Sequence, residues 1–302
     1  MSNKKIKETV SGWLICGLPV VGFLLFQMIP LLVSFVLGFT ELKSYNFFEA
    51  KFIGLSNYIT LLEMPLFWKA IKTTLIYCLT VPMTMVAGFF IAYILSKNIL
   101  CKSFFRSIFF IPYVCSIVSV SLMWKWILEP DAGVLNAFLS LFGVGRIEWL
   151  YDARFFMPAV FLVVLWNSTG FAIILYQSAL ANVNQNYYEA AQLDGASNMN
   201  MLFKITIPMT SPTSFYLWTT GFINALQVFS MLQVLSSGGS SSGGPDNAAY
   251  SVVYLLYDMA FTYPLRYGVG IASACAWLLA LFIIVVTRLN FMLQNKFVVY
   301  EE

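Results

Sequence analysis

"EAAQLDGA", residues 189–196, interrupts a chain written mostly in apolar residues. It lies between apolar runs at 155–180 and 213–236 and brings in two acids, several small residues and an Asp-Gly turn signal. What surrounds it decides the fold class. Of the 302 residues, 60% are hydrophobic and only 10% are charged, against about 25% charged in soluble domains. The composition is that of an integral membrane protein.

The same counts exclude several functions. A net charge of +3 without a basic stretch gives no footing for nucleic acid. Histidine, the commonest metal ligand and general base, is absent from the sequence. Cys16, Cys78, Cys101, Cys115 and Cys275 show no C-x-x-C spacing and read as small apolar residues. No metal site and no catalytic residue is expected.

A helix needs roughly 20 apolar residues to cross the hydrocarbon. Six segments qualify, near 12–39, 73–96, 107–128, 155–180, 213–236 and 267–287. They predict an all-α membrane protein with a six-span body over 12–290, an N-terminal segment 1–11 and a tail 291–302. The first run exceeds the roughly 7–15-residue core of a signal peptide, so an uncleaved span is expected. Pro19, Pro30, Pro82, Pro112 and Pro158 fall within the runs, where they can bend a membrane helix. In "MWKWIL" (123–128), Trp124 and Trp126 read as interfacial anchors with Lys125 snorkelling.

Six spans put both termini on one side. With the termini in the cytoplasm, Lys4, Lys5, Lys7, Lys97, Lys102, Arg106, Lys204, Arg288 and Lys296 are inside, nine of the 17 cations. The total scarcely discriminates, but six of these crowd the ends of the first three spans, where the positive-inside bias is strongest. This orientation makes 181–212 a long cytoplasmic loop, and "EAAQLDGA" lies in it.

Within that loop, Asn184 to Leu193 suits a short helix and Asp194-Gly195 a turn. Ser197 is placed to cap a second helix running to Pro208. Met199, Leu202, Phe203 and Thr206 recur at spacings of three or four, predicting one apolar face. The result is a helical hairpin over 184–208.

"EAAQLDGASNMNMLFKITIP" (189–208) resembles the signature loop of ATP-binding-cassette importer permeases: E-A-A, three residues, G, nine residues, I-x-L-P. Glu189, Ala190, Ala191, Asp194, Gly195, Ile205 and Pro208 occupy that pattern, with Ile207 replacing the leucine. "FIGLSNYITLL" (52–62), "FFRSIFFIPYVCS" (104–116), "GVLNAFL" (133–139) and "GGPDNAAYSVVYLLYDMAF" (243–261) resemble the carbohydrate-type permeases of this family, related to those for maltose, lactose and glycerol 3-phosphate. One departure is the stretched Gly/Ser-rich segment "SSGGSSSGGPDN" (236–247).

The resemblance implies a type I importer permease in a bacterial-type cell membrane. It implies a heterodimer with a second homologous permease and two ATP-binding-cassette ATPase subunits on the cytoplasmic hairpins. It also implies an extracellular solute-binding protein that delivers a sugar or oligosaccharide. A polyol, glycerol phosphate or polyamine is the alternative solute within the same superfamily, and a stand-alone secondary transporter is the alternative outside it. The sequence has no G-x-x-x-x-G-K-[ST] and no Gly-Lys pair. MgATP would therefore be used by the partner subunits, and no cofactor is expected on this chain. The spans carry no Asp, Glu or His relay of the kind common in ion-driven carriers.

A sugar site needs amides, hydroxyls and aromatic faces. "LWNSTGF" (165–171) offers Asn167, Ser168 and Phe171, and "FINALQVF" (222–229) offers Asn224 and Gln227 three apart. Tyr113, which follows Pro112, matches a cavity position of the sugar permeases. These six form the expected substrate pathway.

Overall fold

The structure is a computed structural model that describes residues 13, 16–43, 45–97, 100–237 and 242–299. The expected N-terminal segment 1–11, the end of the tail and the middle of the Gly/Ser-rich segment lie outside these residues. In chain order the elements are α1 (Cys16–Leu37), β1 (Thr40–Glu41), β2 (Lys51–Phe52), α2 (Ser56–Glu63) and α3 (Pro65–Ser96). Next come α4 (Lys102–Val114), α5 (Ile117–Ile127), α6 (Val134–Ser140), α7 (Ala153–Asn182), α8 (Gln185–Leu193) and α9 (198–209). Then follow α10 (Ser211–Leu226), α11 (Ser230–Ser236), α12 (Val252–Thr262), α13 (Pro264–Tyr267) and α14 (Val269–Phe297). Apart from one two-residue strand pair, the described residues form helices and their connections.

α1, α3, α7 and α14 are each long and apolar enough to span a bilayer. The two other expected spans are broken. The segment 107–128 is α4 and α5, bent by 102° at Cys115–Ser116. The segment 213–236 is α10 and α11, parted at 227–229. Hydropathy does not register such breaks because the residues on either side stay apolar. Tertiary hydrogen bonds make the breaks tolerable. Asn167 Nδ2 donates to the Pro112 carbonyl at 2.6 Å, which would otherwise have bonded the amide of Ser116, beyond the end of α4. At the second break the Ser251 hydroxyl donates to the Val228 carbonyl and accepts from the Tyr254 amide at 3.1 Å.

The chain divides into two compact units. The first comprises Met1–Pro65 and Leu256–Leu279. Here Asn57, buried on α2, donates to the carbonyls of Gly38 (3.0 Å) and Thr40 (2.8 Å), pinning α2 to the end of α1. Gly270 lies so close to β1 that a Cβ there would come within 2.1 Å of the Thr40 carbonyl oxygen. Phe35 meets Trp277 edge to face at 4.8 Å.

The second unit, Leu66–Leu255 and Ala280–Glu302, holds both sites considered below. α3, α7 and α10 pack around Phe89, Ala92, Ala172, Ile173, Tyr176 and Leu217. Small residues set the spacing: a Cβ on Gly88 would approach the Ala172 side chain to 2.5 Å. α7 starts at Asp152, whose carboxylate accepts from the Arg154 amide at 2.9 Å. Hydrogen bonds from the Arg154 side chain and then its backbone hold that carboxyl below its usual range.

Lys125 reaches the C-terminal end of α11. Its ammonium donates to the Ser237 carbonyl and hydroxyl at the end of α11, a cation at a helix C-terminus where carbonyls lack partners. Trp126 is exposed as an anchor would be, whereas Trp124 packs edge to face on Trp166 at 5.7 Å.

Candidate functional site

A cavity of about 190 Å³ opens midway along α3, α7 and α10. Tyr113, Ser168, Phe171 and Asn224 line it together. Tyr113 and Phe171 stack nearly parallel, 4.8 Å apart with 14° between their planes, and present an aromatic face. The volume is below the roughly 300–1,000 Å³ of a complete ligand pocket. No charged side chain lines it among the described residues.

The broken segment positions this wall. Non-helical backbone at membrane depth is tolerated where protein buries it or it lines a cavity. The α4–α5 break falls just after Tyr113, and its freed carbonyl is the one that Asn167 satisfies.

Asn167 and Gln227 do not line the cavity. Asn167 is buried with its amide spent on Pro112, and Gln227 donates back to the Ile223 carbonyl at 3.2 Å, capping α10. Sequence reasoning passed over Tyr77, Thr80, Thr84 and Thr220, which do line it. The threonine hydroxyls donate along their own helices, Thr80 to Tyr77, Thr84 to Val81 and Thr220 to Tyr216, at 2.7–2.8 Å. Their oxygens remain acceptors. The signal was present in Thr80 and Thr84, spaced i,i+4 on one helix face. Asn167→Leu is therefore expected to cost about 1–3 kcal/mol by leaving the Pro112 carbonyl unsatisfied. Thermal melting should fall while the substrate KM of the surviving protein stays unchanged, and a raised KM at normal melting would contradict this role.

The hairpin is formed by α8 and α9. Asn184 accepts from the Asn186 amide at 3.0 Å and Ser197 from the Asn200 amide at 3.3 Å, so each helix has a side-chain N-cap. Between them, the Gly195 amide donates to Gln192 O at 3.0 Å and the Ala196 amide to Ala191 O at 2.9 Å. This paired pattern is a Schellman motif with Gly195, at φ +76°, in the left-handed position.

The predicted face of α9 is split. Met201, Leu202 and Thr206 are buried, whereas Met199 and Phe203 are 62% and 57% exposed. The buried stripe runs through Met201, Leu202 and Thr206 with Ile205 half-buried, and Met199 and Phe203, one turn apart, lie beside it. The inner face holds the hairpin down: Leu202 joins the core, and the Tyr188 hydroxyl is 3.0 Å from Thr206 Oγ1. Glu189, Ala190, Asp194 and Gly195 are exposed, Ala191, Ile205 and Pro208 half-buried. Leu193, at 89% exposure, and Tyr187 extend an apolar surface on the outside.

A helical membrane body with an uncharged mid-level cavity, carrying a hairpin with exposed apolar residues, has the architecture of a membrane permease. The chain belongs to the family described as binding-protein-dependent transport system inner membrane component, which matches residues 84–299. It is 31% identical over 284 residues to the probable ABC transporter permease protein YurN of Bacillus subtilis, covering 92% of this chain and 93% of that one. It is 29% identical to the lactose transport system permease protein LacF of Rhizobium radiobacter, with 96% of each chain covered. Among solved structures, it resembles a chain of the bacterial alginate ABC transporter in complex with alginate pentasaccharide-bound periplasmic protein. The TM-score is 0.82 at 25% identity, over 97% of this chain and 96% of that one.

Proposed function

We propose that this permease forms half of the translocation pathway of an ATP-driven sugar or oligosaccharide importer. The observation that carries the reading is the mid-level cavity, walled by hydroxyls, one amide and a stacked aromatic pair, and free of charge among the described residues. A sugar offers hydroxyls to the polar groups and C–H faces to the rings. The names of relatives such as the lactose permease support the same solute class.

On this reading both termini and the hairpin are cytoplasmic, and a homologous permease supplies the opposite wall of the pathway. MgATP is bound and hydrolysed by two separate ATPase subunits. The two ATPases close on each other on binding ATP, and each pushes one permease's hairpin, α8–α9 here. The push reaches the spans through Leu202 and the Tyr188–Thr206 contact. The cavity then opens outward to a solute-binding protein and returns inward after hydrolysis.

Uptake of a panel of labelled sugars, in cells with and without this gene, tests the solute class. Within it, Asn224→Leu is expected to raise the KM about 2- to 10-fold, the loss of one neutral hydrogen bond, with ATPase co-purification unchanged. Transport by the isolated chain without any ATPase would overturn the reading.

A further inference from the structure

A second cavity, of about 520 Å³, lies between the hairpin and the adjacent ends of α3, α4 and α7. Its chemistry is opposite to that of the mid-level cavity. Lys97, Lys102 and Arg106 line it, and no carboxylate does among the described residues. None of the three cations enters an ion pair among those residues. Lys97 is instead 4.9 Å above the ring of Tyr93.

Gln177 supplies a second, independent indication. Arg106 Nε donates to Gln177 Oε1 at 2.6 Å. Arginine has no acceptor, so this bond orients the amide, with its oxygen towards the guanidinium and its NH2 elsewhere. Gln177 is 6% exposed, lines the cavity, and its Nε2 has no partner among the described residues. A buried donor is costly to leave unmade. The far wall, on the hairpin, contributes the amide side chains of Gln192 and Asn198.

From this we infer that the cavity is an anion site for a phosphate-bearing ligand, held by Lys97, Lys102, Arg106 and the Gln177 amide. Water would satisfy Gln177 but would not neutralise three gathered cations. A phosphate group does both, since it carries up to two negative charges and several acceptor oxygens and suits the free edge of a guanidinium. The ligand is either a soluble phosphate monoester or the head group of an anionic phospholipid. Because the walls belong to the hairpin and to the helix ends, occupancy ties the two together and restrains the hairpin. The inference goes beyond the transport reading, and its test measures binding alone, so its failure would leave that reading intact.

The full-length chain in phosphatidylcholine nanodiscs is titrated with radiolabelled inorganic phosphate and glucose 6-phosphate at constant ionic strength. Saturable binding is expected, weakened about tenfold or more in Arg106→Gln by loss of a charge-assisted contact and partly rescued in Arg106→Lys. Gln177→Leu is expected to weaken binding as well, and unchanged melting and elution certify that each variant is folded. In nanodiscs doped with phosphatidylglycerol, native mass spectrometry reads retained lipid. Lipid retained by the wild type and lost in Arg106→Gln, without binding of the soluble probes, assigns the site to a head group. If neither source binds, or both bind Arg106→Gln as well as the wild type, the anion site does not exist.

Discussion

Gly195→Val is expected to abolish ATP-driven uptake while the chain still reaches the membrane at a normal level. No atom lies within 4 Å of where the new Cβ would sit, so the defect is conformational and not steric crowding. Gly195 holds φ +76°, where an L-residue costs roughly 1–2 kcal/mol and a β-branched one more. Abandoning that conformation would lose the bonds of Gly195 to Gln192 and of Ala196 to Ala191. The angle between α8 and α9 would then change, and with it the alignment of the exposed residues Glu189, Leu193, Met199 and Phe203. Asparagine tolerates the left-handed region better, so Gly195→Asn should retain measurable uptake. Glu189→Lys, which leaves the turn alone and reverses one exposed charge, should also abolish uptake. The checks are labelled-sugar uptake and membrane fractionation of the same cells. Normal uptake in Gly195→Val or Glu189→Lys cells would remove the hairpin from the transport mechanism.

Gly170→Val is expected to prevent accumulation of folded protein. A Cβ on Gly170 would be 2.0 Å from the Phe109 carbonyl oxygen, 3.0 Å from its carbon and 3.2 Å from the Phe110 Cα. All three are backbone atoms, so no rotamer change relieves the contact and α4 itself must move. That displacement would pull Pro112 from Asn167 and Tyr113 from Phe171, dismantling the break in the helix and the cavity wall together. Overpacking of this kind costs about 3 kcal/mol or more, a large share of the stability of an ordinary domain. Fluorescence-detected size-exclusion chromatography and thermal melting in detergent provide the measurement. Gly145, which has nothing within 4 Å, makes Gly145→Ala the control, with wild-type behaviour expected. A Gly170→Val protein that melted like the wild type would mean that α4 and α7 do not meet closely at this point.

The two positions differ in how legible they were. Gly195 stands out in the sequence because a turn and its glycine are local: the Asp-Gly pair, the caps at Asn184 and Ser197, and the spacing to Ile205 and Pro208 are all set by neighbours along the chain. Gly170 carries no such mark, since its requirement comes from Phe109, which is distant along the chain and meets it only after folding. The apolar face of α9 failed for a related reason. A count by threes and fours marks a stripe but not which side of it the spans cover, and packing buries Met201, Leu202 and Thr206 while Met199 and Phe203 stay outward.

Composition and run length were sufficient for an all-α membrane chain, and the 189–208 spacing was sufficient for the hairpin, because both rest on covalent order. Which polar side chains face the cavity was decided by packing. Asn167 and Ser168 are adjacent in "LWNSTGF", equally polar and equally deep, yet Ser168 lines the cavity and Asn167 is committed to Pro112. Successive residues of a helix point about 100° apart, so their order along the chain says only that they diverge. The direction each one takes follows from the neighbours it meets, here an α4 whose break leaves one carbonyl in need of a donor.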